Sequence, residues 1–304
     1  MINLSTGAFF SRATRQIGSL RAQANQLQQQ LGSGEKLSSS SQDPVAAARL
    51  RTLSRNERLA AIDQTTSDRA MHNLQLTDSA LGSIAQVIGR AKELAIQAAS
   101  GNINDTQRAA IGLEINGLRE NLLVLANSRT AAGSALFGGE SAGAAYVADG
   151  SGAILYAGTP ETVPFDLGEG QQVIAGATGP EVLSFEVNGS QTDLFATLGT
   201  LAAALQGGVA DPAGASREAL GALDGALEKV TTVQTIVGAR MGWVDLMDAR
   251  RETNGELRAE EREAIGGADL ATTITRLQEV MTVLEASQAS FVKLSGLSLF
   301  TMLR

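Results

Sequence analysis

The sequence predicts an α+β chain: long N- and C-terminal helices forming a coiled-coil rod, with a small β-rich domain inserted at the tip. Three observations predict it. Apolar residues recur in heptads toward both ends of the 304-residue chain. No Lys or Arg occurs between Arg129 and Arg217, where nine acidic residues fall (Glu140, Asp149, Glu161, Asp166, Glu169, Glu181, Glu186, Asp193 and Asp211), so segment 130–216 carries −9 while the whole chain carries −8. That segment also holds four of the five prolines and 16 of the 33 glycines, which mark turns and short strands.

The first helix is predicted from Phe10, Ala13, Ile17, Leu20, Ala24, Leu27 and Leu31, a stripe of alternating three- and four-residue steps suited to pairing with another helix. It ends at Gly32-Ser33-Gly34, and Ser38 to Ser41 form a polar joint. Asp43-Pro44 then reads as an N-cap with proline at the first helical position. The second helix runs toward Ser100 on Leu74, Thr77, Leu81, Ile84, Ile88, Ala91, Ala95 and Ala98. At 1.5 Å per residue, about 55 residues span roughly 80 Å. After a turn at Gly101-Asn102, Ile111, Ile115, Leu118, Leu122 and Leu125 give a third, antiparallel stripe.

Within the acidic segment, Ala153 to Tyr156, Val163 to Phe165 and Val182 to Val187 read as strands, Asn188-Gly189 as a hairpin turn, and Leu194 to Leu205 as a short helix. Heptads resume with Leu220, Leu223, Leu227, Val230, Gln234, Val237, Met241 and Val244. The last stripe is Leu270, Ile274, Leu277, Met281, Leu284, Gln288 and Phe291. The expected division is 1–42 with 264–304 as a terminal helical polymerisation domain, 43–135 with 217–263 as a helical rod, and 136–216 as the β-rich outer domain. Stripes this rich in alanine are expected to need neighbouring subunits to complete their burial. A homo-oligomeric polymer follows, in a helical or ring assembly. Its subunit interface is predicted on Phe10, Ile17, Leu20, Leu27, Leu31, Leu270, Ile274, Leu277, Met281, Leu284 and Phe291.

Composition excludes several chemistries. With no cysteine and one histidine, His72, the chain has no thiolate nucleophile, no disulfide and no multi-histidine metal site. No catalytic, cofactor-binding or metal residue is assigned. Gly32-Ser33-Gly34-Glu35-Lys36 follows a helix and lacks P-loop spacing, so it reads as a helix stop. Asn104-Asp105-Thr106 and Asn188-Gly189-Ser190 match the glycosylation acceptor pattern but read as turns. Arg12, Arg15 and Arg21 lack the aromatic interleaving of a nucleic-acid groove, and are expected to pair with acids such as Glu279 or Glu285. The first ten residues carry no Lys or Arg and no sustained apolar run, so no cleavable signal peptide is expected. Leu194 to Ala210, broken by Gly199, Gly207 and Gly208, is too short an apolar run to cross a bilayer, and the chain is read as soluble, without membrane insertion.

Leu31 to Lys36, Asp43-Pro44-Val45-Ala46-Ala47-Ala48 and Lys92-Glu93-Leu94-Ala95-Ile96-Gln97-Ala98-Ala99 resemble the N-terminal half of the bacterial flagellin superfamily. Ala268-Asp269-Leu270-Ala271 and Ser298-Leu299-Phe300-Thr301-Met302-Leu303 are similar to its C-terminal end. Asp43-Pro44, Leu125 to Arg129, Leu136-Phe137-Gly138-Gly139 and Ser298 to Phe300 look more like the junction-type members that join hook to filament than like filament flagellin. The resemblance implies a structural, non-enzymatic, extracellular flagellar subunit, exported unfolded by the flagellar type III apparatus. It further implies packing against a neighbouring hook-associated protein and flagellin, and an export chaperone on about Leu270 to Phe291. Gly89 to Leu94 falls where some flagellins are read by a host receptor, but reads here as a solvated face of a packing helix.

Three alternatives stay open at the level of sequence. They are filament flagellin itself, a helical stalk presenting a ligand-binding β-domain, and an enzyme built on a carboxylate pair such as Asp166 and Glu186.

Overall fold

The computed structural model describes residues 3–150 and 152–302, with side chains described from Gly7 to Leu294 apart from Phe9 and Ser151. Its long helices are α1 (Asn3–Ser33), α2 (Pro44–Ala99), α3 (Asp105–Ala126), α6 (Pro212–Gly266) and α7 (Leu270–Met302). Four of the five begin on an Asp or Asn whose side chain accepts the first free amides, satisfying donors that no helical carbonyl can reach. Asp43 Oδ1 accepts from Val45 N at 3.1 Å and Ala46 N at 2.9 Å. Asn104 and Gln107 form a reciprocal capping box at 2.8 and 3.0 Å. Asp211 Oδ1 accepts from Gly214 N at 2.8 Å, and Asp269 Oδ1 from Thr272 N at 3.2 Å.

The chain forms two compact units, residues 1–59 with 252–304 and residues 60–251. In the first, α1 packs along α7. The link after α1 and the link before α7 are tied by an antiparallel bridge between Glu35 and Gly267. Lys36 N donates to Gly266 O at 2.7 Å and Ala268 N to Gly34 O at 2.9 Å. Here too, the α2 and α6 ends are joined by Arg49, whose Nε and Nη2 donate to the two carboxylate oxygens of Glu261 at 2.5 and 2.7 Å, and by an Arg262–Glu57 ion pair.

The second unit has one core. The predicted α2 stripe, Leu74, Thr77, Leu81, Ile84, Ile88, Ala91, Ala95 and Ala98, is 0% exposed at every position. It is buried with Ile111, Ile115 and Leu122 of α3 and with Leu223, Val230, Val237 and Val244 of α6. This corrects the expectation that alanine-rich stripes need other subunits. In this unit the chain closes its own core, because the small residues are matched by branched residues of α3 and α6.

The segment between α3 and α6 forms three separate antiparallel hairpins. They are β1 (Tyr146–Ala148) with β2 (Ile154–Tyr156), β3 (Pro164–Gly168) with β4 (Gln171–Ile174), and β5 (Ser184–Val187) with β6 (Ser190–Asp193). Asn188 and Gly189 both adopt positive φ, 50° and 78°, as the two-residue turn of β5–β6 requires. Val182 and Leu183, expected in a strand, instead end a short helix, α4 (Gly179–Leu183). Pro180 and the Glu181 side chain, which accepts from Thr178 N at 2.7 Å, start that helix. Helix α5 (Leu194–Ala203) is capped by Asp193, continues into a wide turn at Ala204–Gly208, and packs on α3. Asp166 and Glu186 lie on different hairpins. Hairpin residues Tyr146, Leu167, Val173 and Phe185 share the helical core.

Candidate assembly interface

Two fixed points set the α1–α7 register. Phe10 meets Phe291 edge to face, and Gly34 lies opposite Ala268. The 25 residues from Phe10 to Gly34 therefore run antiparallel to the 24 from Ala268 to Phe291, bringing the first and last predicted stripes together within one chain.

Burial along this seam is uneven. Ala24, Leu27 and Thr273 are buried. Phe10, Ile17, Leu20, Leu31, Leu277, Leu284 and Phe291 are half-buried. Leu270, Ile274 and Met281 stay 50%, 46% and 39% exposed, and Val283, Val292 and Leu294 are exposed as well. Two helices can cover only one face of each other, so a stripe broader than the seam leaves an apolar row in solvent. The sequence stripe identified Leu270, Ile274 and Met281. Val283, Val292 and Leu294 were missed because they fall outside its three-four rhythm, although their size and character were visible.

Polar groups fix the helix ends. The Thr272 hydroxyl, donating to Asp269 Oδ2 at 2.6 Å, and then the Thr272 amide hold the Asp269 carboxyl below its usual range. The hydrogen bond from Arg49 lowers Glu261 in the same way. No ion pair joins Arg12, Arg15 or Arg21 to Glu279 or Glu285 among the described residues. Arg15 Nε donates instead to Ser11 O, at 3.1 Å. Among the described residues no group of three His, Asp or Glu side chains is placed to hold a metal ion, and no helix is long and apolar enough to cross a membrane. What the arrangement can do is bind further helices along its open apolar row.

The motifs of the second unit serve packing. In Leu136-Phe137-Gly138-Gly139 the first three residues are buried, and Gly139 (φ 63°) lies so close to Thr159 and Glu161 that a Cβ would overlap them. Asn127 exchanges two 2.9 Å hydrogen bonds with the Tyr146 backbone. Ala91 and Leu94 are buried, while Arg90 pairs with Glu93 at 2.9 Å and Glu114 at 2.6 Å. The side chains of Ser298 to Leu303 lie outside the described residues.

The bacterial flagellin N-terminal helical region matches residues 4–142. Flagellar hook-associated protein 3 of Escherichia coli is 27% identical over 319 aligned residues, covering 99% of each chain. The flagellar filament 41 kDa core protein of Borreliella burgdorferi is 29% identical over 129 residues, 40% of this chain and 36% of that one. In fold, the chain is like the flagellar junction protein FlgL from Legionella pneumophila, with a TM-score of 0.61 at 15% identity over 72% of this chain and 99% of that one. The paired terminal helices, the N-terminal flagellin match and the end-to-end likeness thus make this chain similar along its whole length to flagellar hook-associated protein 3.

Proposed function

We propose that the chain is a structural subunit of the bacterial flagellum, an adaptor that joins hook-side proteins to the flagellin filament through packing of its terminal helices. The observation that carries this is the row Leu270, Ile274 and Met281, left exposed on α7 after α1 has taken its place. A helix face of this kind is completed by other helices. Copies of this chain cover it in a helical or ring assembly, with a hook-associated protein on one side and flagellin on the other.

In this reading Phe10, Ile17, Leu20, Leu27 and Leu31 with Leu277, Leu284 and Phe291 hold the α1–α7 pair, while Leu270, Ile274 and Met281 meet the neighbours. Residues 1–42 with 264–304 are the polymerising element. The export chaperone takes the α7 face before assembly. The subunit acts outside the cell and catalyses nothing. The adaptor is favoured over the filament subunit because the likeness to hook-associated protein 3 covers 99% of this chain, and that to a filament core protein 40%.

The test is nucleation. Isolated hook fragments are incubated with the chain, washed, and offered flagellin. Filament growth that depends on the first incubation supports the adaptor, and growth indifferent to it overturns the proposal.

A further inference from the structure

The 130–216 segment has no cation of its own, yet its β3–β4 hairpin is gripped by cations from α6. A register shift between Asp166 and Gly168 leaves Leu167 as the extra residue of a bulge. A bulge takes a carbonyl out of the ladder and obliges it to find another donor. Leu167 keeps its side chain in the core, and its carbonyl accepts from Arg251 Nη2 at 2.7 Å. Beyond the other end of the hairpin, Gly176 O accepts from Arg240 Nη1 at 2.6 Å.

Arg240 and Arg251 are eleven residues apart, about three turns, and so share a face of α6. Val244 and Met247, buried between them, belong to the same core as Leu167, Val173 and Ala175. Arg251 is itself only 12% exposed and also meets Gln64 Oε1 at 2.9 Å, Ser67 Oγ at 3.4 Å and Asp248. The hairpin tip lies against α2 as well, since a Cβ on Gly168 would overlap the Asp63 carboxylate. Gly168, Glu169 and Gly170 all hold positive φ, 86°, 53° and 74°, and Arg250 reaches Glu169 at 3.4 Å.

We infer that β3–β4 is a strap laid over α2 and α6, clamped at Leu167 by Arg251 and at Gly176 by Arg240, and that these clamps control local opening of the α2–α6 pair around residues 60–70 and 240–251. A lone two-stranded hairpin has little stability of its own, so the strap stays down only while its ends are held.

Hydrogen exchange of the full chain tests this with Arg251→Gln, Arg240→Gln and, as a lever that touches no arginine, Gly168→Ala. All three should accelerate exchange in 164–176 by about ten- to a hundredfold. Arg251→Gln and Gly168→Ala should also accelerate 60–70, while α5 and α3 keep their protection. Unchanged exchange at 164–176 in the three variants, or a rise spread evenly over 60–251, would overturn the strap.

Discussion

Phe10 of α1 and Phe291 of α7 meet at a centroid distance of 5.5 Å with their planes 89° apart. They fix the open end of a helix pair whose other end is fixed by the Glu35–Gly267 bridge. An edge-to-face pair contributes about 0.5–1.5 kcal/mol beyond the apolar area it covers. With the ring half-buried, Phe291→Ala should weaken the α1–α7 pairing by about 1–2 kcal/mol. Amide exchange in α1 reads this, and equal protection in variant and parent would show that the pair does not hold the seam.

The seam and the exposed row should separate by mutation. Ile274→Asp places a charge on an exposed position, so it should leave the α1–α7 pair formed and abolish incorporation into assemblies. Leu277→Asp, at a half-buried position, should both loosen the pair and abolish assembly, with residues 60–251 still folded. Circular dichroism with sedimentation distinguishes them, and normal incorporation of Ile274→Asp would remove the case for the row as an interface.

Gly139 adopts φ 63° against Thr159 and Glu161, leaving no room for a side chain. Gly139→Ala should destabilise residues 60–251 by about 2 kcal/mol or more through strain and overlap. The thermal transition of this unit, followed at Trp243, should fall accordingly. An unshifted transition would mean that the loop relaxes freely.

Acid should loosen the terminal unit through Asp269 and Glu261. Both carboxyls are held below their usual values in the folded chain, the first by Thr272 and the second by Arg49. Their contribution is therefore present above the unfolded pKa and is lost as the pH falls through the lowered folded value. Asp269→Asn with Glu261→Gln, which keep hydrogen-bonding shape without titrating, should flatten the loss of helicity in that range. An acid limb identical to the parent's would assign the loss elsewhere.

Periodicity made the helices legible, because burial repeats at the spacing of the turns. All eight α2 positions read from sequence are buried, and the caps at Asp43 and the turn at Asn188-Gly189 stand where local chemistry puts them. Val182-Leu183 misled because a short apolar run suits a strand or a helix equally, and the Thr178 to Glu181 spacing that starts α4 carried the deciding signal. The arginine clamps were invisible for a different reason. Arg240 and Gly176 are 64 positions apart and Arg251 and Leu167 are 84, so no local pattern joins them. The absence of cations from 130–216 was nevertheless their outward sign.

The most direct test of the adaptor is electron microscopy of the purified chain added to isolated hook fragments without flagellin. The account predicts a short terminal zone that stops growing and then accepts flagellin when it is supplied. Long filaments built from this chain alone would contradict it and identify a filament subunit instead.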